Sequence, residues 1–415
     1  MNETPEFDLE TIIRKKSLHT HFQPIVSIKK KKIIGFEALS RGIDPESGQE
    51  IPPFFLFSVA QKCDKIVELD RACREKALEA FGNLHHKNPD LLLFLNFDTS
   101  MVDMGIVGSG NLLRMVREKD INPGNIVIEM VESRVRNFPE LCRFIDNHRK
   151  YGFLIALDDF GAGHSNLERI SVIKPEIIKI DRSLIQNVHT EFFKQEILKA
   201  IIKLTDQLGV MVLSEGVETY EEVMKTLELD TDLLQGYYFS TPQPLKELSL
   251  TEVNAKIQQT ASDFFKNVIT RIKISKEHFN NCQALGFSIL SELKDLKDEN
   301  IKLERELKNM ISSYSIIECA YLLDESGRQI SSTIMNNGHI HNLKNSQLFR
   351  PAELGDDHSL KDYYVYIQAG LGRFITDPYI SLATGSLCRT ISVSFTTRGN
   401  NKRILCLDMK ENEYQ

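Results

Sequence analysis

Residues 153–167 read FLIALDDFGAGHSNL. An apolar run of strand length ends on two adjacent aspartates, Asp158 and Asp159, and then on a glycine-rich turn. Two neighbouring anions repel, and in a low-dielectric site one of them takes up a proton unless cations hold the pair or water surrounds it. Side chains alternate along a strand, so both carboxylates serve one site only if the strand ends there, and FGAG supplies the turn.

The same pattern recurs upstream and downstream. HTHFQPIVSI, IIGFEALSR, LLLFLNF, IVIEMVE, FLIALDDF, IIKID, GVMVLSEGV and LLQGYYFS, all between residues 19 and 240, are apolar or β-rich runs. KKKK separates the first two as a hairpin turn would, and the others are separated by segments long enough for helices. Near-continuous apolar strands alternating with helices predict a mostly parallel sheet covered on both faces, α/β in class. Eight of them predict a (β/α)8 barrel, with a doubly wound open sheet as the alternative. Glu37, Asn96, Glu129, Asp158, Asp159, Lys179, Glu215 and Gln235 all fall at or near strand C-termini, the end where barrels build their active sites.

The remaining composition narrows the setting. The chain has 415 residues, is 41% hydrophobic and carries a net charge of −7, so it has no basic footprint for a nucleic acid polymer. No apolar run is long enough for a membrane span, and MNETPEFDLE is unlike a signal peptide. Seven scattered cysteines without a CxxC pair predict free thiols and a cytoplasmic protein.

Residues 253–312 change register. Ile289, Leu293, Leu296, Asn300, Leu303, Leu307 and Met310 are spaced as a heptad seam with one polar core position, Asn300. The spacing fits a coiled coil joining a homodimer and equally an amphipathic helix packed on its own barrel; Glu299 and Glu304 would be like-charged neighbours in a parallel pair. Residues 313–415 predict a small α+β domain. IIECAYLLDESGRQISSTI reads as strand, turn and strand, SLKDYYVYIQAGL as a helix capped by Ser359, and two further β-rich stretches follow.

Five oxygen donors, Glu37, Asn96, Glu129, Asp158 and Asp159, on one mouth suit hard divalent cations such as Mg2+ or Mn2+. Two such ions roughly 3.5–4 Å apart form a clamp for in-line phosphoryl chemistry. Lys179 is placed to act on the attacking water, and Arg41 to take a phosphate oxygen.

Residues 15–250 resemble the EAL domain, the family that hydrolyses cyclic di-GMP. FEALSR (36–41), LNFDTS with Asn96, IEMVES with Glu129, LDDFGAGHSNL, IKID with Lys179, SEGVET with Glu215 and QGYYFSTP with Gln235 occur in the family's order. The resemblance implies a modified (β/α)8 TIM-type barrel with one antiparallel strand over residues 1–252. It implies two Mg2+ or Mn2+ ions per active site held by Glu37, Asn96, Glu129, Asp158 and Asp159. It also implies water activation by Lys179 with Asp159, support from Glu215 and Gln235, and substrate contact by Arg41. Glu132 would brace the regulatory loop after Asp159. Ala162, His164 and Val131 depart from the family's usual residues there, which bears on loop regulation and not on the metal site. The implied activity is cleavage of cyclic di-GMP to linear pGpG. The alternatives are a non-catalytic cyclic di-GMP receptor and a barrel acting on another phosphodiester. No GGDEF-type signature is present. DPYISLATGSLCRTIS (377–392) resembles PAS-like or Cache-like sensor modules, in particular the domain that follows the EAL domain in YkuI-type proteins. It implies a sensor at 313–415 with a ligand the residues do not name, against the alternative of a packing domain without one.

Overall fold

The computed structural model describes residues 7–103, 110–131, 137–163, 167–294, 300–336, 350–397 and 399–410. The chain divides into two compact units, 1–268 and 269–415.

In the first unit, nine strands form one sheet: β1 (Leu18–Ser27), β2 (Lys32–Ile43), β3 (Glu50–Ile51), β4 (Leu92–Asn96), β5 (Ile126–Met130), β6 (Leu154–Phe160), β7 (Ile177–Ile180), β8 (Met211–Glu215) and β9 (Leu233–Gln235). The order is β1-β9-β8-β7-β6-β5-β4-β2-β3, and β1 also pairs with β2, so eight strands close into a barrel and β3 extends one edge of β2. That closure excludes the open doubly wound sheet. From β2 through β4 to β9 every pairing is parallel, whereas β1 runs antiparallel to both of its neighbours. The eight apolar runs of the sequence are the eight barrel strands.

Period-two alternation sets up the interior. Ile25, Phe94, Val127, Ala156, Ile177, Leu213 and Leu233, one from each of seven strands, form a buried apolar layer inside the barrel. On β2 the corresponding place is held by Gly35, whose Cα pairs with Ile25 on one side and Leu92 on the other. A Cβ there would lie 2.3 Å from the Leu92 carbonyl oxygen, so only glycine lets β2 and β4 approach this closely.

Outside the barrel, helices cover the strands and bury a second, larger core. Their ends are fixed by specific groups. Thr219 and Glu222 form a reciprocal capping box at the start of helix Tyr220–Glu228, which sets the path of the chain leaving β8. Arg149, on helix Phe138–Lys150, binds Glu176, whose second oxygen accepts from the Ile155 amide and ties β6 to the approach to β7. The first turns of helix Leu250–Lys294 belong to this unit, with Val253, Ile257 and Ala261 in its core.

The second unit is a six-stranded antiparallel sheet: β10 (Ile317–Leu323), β11 (Ile334–Met335), β12 (Arg373–Ile375), β13 (Tyr379–Ile380), β14 (Leu387–Thr396) and β15 (Lys402–Lys410), ordered β11-β10-β15-β14-β12 with β13 beside β14. Leu307 and Ile311 of helix Asn300–Ser312 pack on one face, and Tyr363, Tyr364 and Ile367 of helix Asp362–Gln368 on the other. The Asn336 amide donates to the carbonyls of Ile311, Tyr314 and Ile317, closing the end of the first of these helices.

Two expectations change here. Helix Asp362–Gln368 starts after Lys361 with no side-chain cap; Ser359 lies earlier, its amide bound by Asp357 in an Asx turn. Glu304 accepts from the Ser332 amide and hydroxyl, and Leu307 is fully buried in its own unit's core. The last part of the heptad seam is therefore used inside the unit. Leu296 lies outside the described residues, as do the side chains of Ile289, Leu293, Asn300 and Leu303.

Gly35→Ala is expected to lower stability by about 1–3 kcal/mol through this backbone collision. Urea unfolding of the variant checks it, and an unchanged midpoint would contradict the packing.

Candidate active site

The residues two positions beyond the apolar layer make the site. Counting onward from Phe94, Val127, Ala156, Ile177, Leu213 and Leu233 gives Asn96, Glu129, Asp158, Lys179, Glu215 and Gln235; from Gly35 it gives Glu37. On the antiparallel β1 the count runs backwards, from Ile25 to Gln23, which is paired in register with Glu37. Eight strands thus deliver eight polar side chains to the next layer.

At its centre is the Lys179 ammonium, 1% exposed. It lies 2.6 Å from Glu215 Oε1, 2.7 Å from Glu129 Oε1, 3.2 Å from Asp158 Oδ1 and 3.9 Å from Glu37 Oε1. Asn96 Nδ2 donates to Glu37 Oε1 at 2.7 Å. Gln235 Nε2 donates to Glu37 Oε2 at 2.6 Å and to Gln23 Oε1 at 2.9 Å, and Gln23 in turn donates to the Ser240 carbonyl. Gly236, next to Gln235, permits the return of the chain against Val217: a Cβ there would lie 2.0 Å from the Val217 carbonyl oxygen.

The electrostatics follow from one cation facing four anions. Burial works against the charge on Lys179, but Asp158, Glu129, Glu215 and Glu37 together hold its proton well above the ordinary range. Burial pushes Glu129 well up, and Glu37, Asp158 and Glu215 push in the same direction against the pull of Lys179. Burial likewise raises Glu215, to about 8, with Lys179 opposing and Asp158 and Glu37 reinforcing. The cluster therefore holds more carboxyl groups than its one ammonium keeps ionised.

The bulge on β6 resolves the problem of adjacent aspartates. The strand does not end at Asp158, as the sequence suggested. It continues to Phe160 with a register shift against β7 between Leu157 and Phe160. Asp159 sits in the left-handed region, φ 56°, and its amide donates to Asp158 Oδ1 at 2.9 Å. The bulge interrupts the alternation, so the two carboxylates are not bound to opposite faces of a regular strand.

Neighbouring packing holds the strand ends still. Phe97, immediately after Asn96, donates its amide to the Glu129 carbonyl and packs against Phe144 with the rings tilted by 36° and their centroids 4.3 Å apart. The Arg74 guanidinium, paired with buried Asp70, lies over this ring, 5.3 Å from its centre.

The structure thus links Glu37, Asn96, Glu129, Asp158, Lys179, Glu215 and Gln235 in one network and sets Asp159 beside it. Arg41 lies outside the network: it is on β2 four residues past Glu37, on the same face by alternation, and its guanidinium donates to the Ser40 carbonyl. Glu132 lies outside the described residues. Gln23 was missed in the sequence. Its signal was an amide inside an apolar strand, ahead of the PIVSI run rather than at its end.

The donor set fits hard divalent cations. All candidate ligands are oxygens; Glu129 Oε1 meets only the Lys179 ammonium, and Glu129 Oε2 and Gln235 Oε1 are buried without a hydrogen bond among the described residues. The carboxylates are arranged around the ammonium: among the described residues no three acidic, histidine or cysteine side chains are already drawn together as a closed metal cage.

A family model, the EAL domain, matches residues 7–242. The chain belongs to the EAL domain family. It is similar to the uncharacterized EAL-domain containing protein YkuI of Bacillus subtilis, at 24% identity over 382 residues, covering 90% of both chains. The crystal structure of YkuI, in complex with c-di-GMP and calcium, superposes with a TM-score of 0.79 over 98% of this chain and 100% of YkuI, at 22% identity, and so shares its fold. The cyclic di-GMP phosphodiesterase PdeA of Borreliella burgdorferi is 28% identical over 229 residues, 54% of this chain and 33% of PdeA. BlrP1 from Klebsiella pneumoniae, solved as a manganese and cyclic di-GMP complex, matches 55% of this chain over 56% of its own at 28% identity, with a TM-score of 0.50. The chain spans about a third of PdeA and of the signaling protein YkoW, but nine tenths of YkuI. Among the described residues of this EAL protein no helix is long and apolar enough to cross a membrane.

Lys179→Met removes the cation that the buried Glu129 faces. In chelator it is expected to cost about 3–5 kcal/mol, and Mn2+ should raise the melting temperature of the variant more than that of the parent. Melting curves with EDTA and with MnCl2 check this; equal melting of the two proteins in EDTA would contradict it.

Proposed function

We propose that the barrel is a cyclic di-GMP phosphodiesterase that opens the cyclic dinucleotide to linear pGpG. The observation that carries this reading is the excess of buried carboxyl groups around one ammonium: Glu129 Oε1 meets only Lys179, and its Oε2 is buried without a hydrogen bond among the described residues. The family, and the names of relatives such as PdeA, supply the substrate.

Glu37, Asn96, Glu129, Asp158 and Asp159 would hold two divalent cations, Mg2+ or Mn2+. When bound, these ions neutralise the phosphate oxygens and make water a better nucleophile. The chain's own residues do the rest. The Lys179 ammonium orients the attacking water, and Asp159 takes the water's proton as its oxygen bonds to phosphorus. The P–O3′ bond breaks with its electron pair going to the 3′ oxygen, which takes a proton from solvent water and leaves as a hydroxyl. Glu215 and Gln235 keep the donors aligned: Gln235 does so by holding Glu37, and Glu215 by holding Lys179. Arg41 takes a phosphate oxygen at the rim.

The wider reading has three parts. The protein acts in the cytoplasm, where cyclic di-GMP is a signal. Residues 313–415 act as a sensor on the barrel of residues 1–252 through the helical segment 253–312. Two chains pair through the seam between Ile289 and Leu303.

Incubation with cyclic di-GMP and MnCl2, followed by chromatography of the products, is expected to yield pGpG. Glu37→Ala or Asp158→Ala should each lose about 100-fold or more in turnover at saturating metal. Near-normal turnover in either would contradict the ligand assignment, and binding without product in the parent would leave a receptor. Lys179→Ala should keep cyclic di-GMP binding and lose most of kcat, since its role is in the transition state. A raised KM with unchanged kcat would make it a binding residue only.

A further inference from the structure

The polar face of the second unit's sheet holds a carboxylate that its own structure does not neutralise. Asp408 of β15 is 3% exposed. Thr390 donates to its Oδ1 at 2.7 Å, and the Cys319 thiol lies 3.4 Å from its Oδ2. Tyr379 stands next to Thr390, 2.5 Å between hydroxyls; since Thr390 gives its one proton to Asp408, Tyr379 donates to Thr390. Tyr321 and the Glu318 carboxylate complete the surroundings. Every one of these groups is neutral or anionic. Burial raises the carboxyl, to about 6, while hydrogen bonds from Thr390, Cys319 and Tyr321 work towards the ionised form.

This carboxylate lines a cavity of about 610 Å³ in the same unit, a volume typical of small-molecule sites. Tyr321, Tyr363 and Tyr379 contribute aromatic walls, and Pro378 and Leu382 contribute apolar ones. His358, also on the wall, is nine-tenths buried. Its Nδ1 is held by the Tyr363 hydroxyl at 2.6 Å, while its Nε2 is buried with no partner among the described residues. The rim adds Asp356, Asp362 and Asp377 against Arg350 and Lys361, so the whole lining is net acidic.

A buried anion beside aromatic rings, in an acidic cavity with an unpartnered imidazole nitrogen, lacks a cation and an apolar body. We propose that this cavity binds a small organic amine, with its ammonium on Asp408 and its apolar body among Tyr321, Tyr363 and Tyr379. The ammonium supplies the charge Asp408 lacks. The ring faces add cation–π attraction, and a hydroxyl or carbonyl on the body can meet His358 Nε2. The assignment rests on the second unit alone and stands apart from the reading of the barrel.

The test is calorimetric titration of the full chain, with saturating Mn2+ to occupy the barrel carboxylates. Tyramine is compared with 4-ethylphenol, which keeps the ring and lacks the ammonium. Saturable binding of tyramine at least about tenfold tighter than 4-ethylphenol is expected. Asp408→Asn should lower tyramine affinity by about tenfold or more and leave the weak binding of 4-ethylphenol unchanged. Equal affinity for the two probes would overturn the proposal. So would undiminished tyramine binding to Asp408→Asn, or failure of tyramine, phenethylamine, cadaverine and spermidine all to bind at millimolar concentration. The comparison of probes on the parent protein stands even if the variant fails to fold.

Discussion

A single buried ammonium organises the barrel. Lys179 stands inside a closed ring of eight strands and faces Glu129, Glu215, Asp158 and Glu37 at once. In a low-dielectric interior such an ion would be untenable alone, and so would any of the four carboxylates. Together they form a cluster in which burial, reinforced by the neighbouring carboxylates, raises Glu129 and Glu215 above the usual carboxylate range. A site built this way is strained in favour of gaining cations, and its shape is imposed by the barrel rather than by the loops.

The barrel imposes that shape through a simple rule. An apolar residue on each strand fills the interior, and the side chain two places further along points into the next layer. Both the closeness of β2 and β4 at Gly35 and the antiparallel course of β1 are needed for the layer to close. The contacts of Phe97 with Phe144 and Arg74 then fix the end of β4 beside Glu129. Precision of this kind matters because misplacement of a reacting group by about 1 Å can cost on the order of 100-fold in rate.

Much of this was legible because parallel barrel strands are buried on both faces. They therefore appear as apolar runs, and a polar residue at the end of each one stands out. Gln23 escaped the same reading because β1 runs the other way, so its site-facing residue lies near the start of the apolar stretch and not at its end. The β6 bulge escaped because a left-handed aspartate has no sequence signal comparable with a glycine, and Asp158–Asp159 read naturally as a strand terminus. Leu307 shows a different limit. A 3.5-residue apolar spacing is equally satisfied by a partner helix and by the helix's own sheet, and in this chain the sheet takes it. In the second unit, the strand pattern was visible, but Asp408 was not: one acidic residue inside LCLDM gives no hint that it will face Tyr321 and Thr390 across three strands.

The most direct test of the central claim is anomalous diffraction from crystals grown with Mn2+ and cyclic di-GMP. The account predicts two manganese peaks among Glu37, Asn96, Glu129, Asp158 and Asp159, with the Lys179 ammonium moved off at least one of the carboxylates it now pairs with. A site in which Lys179 keeps all four carboxylates and no manganese enters would contradict it.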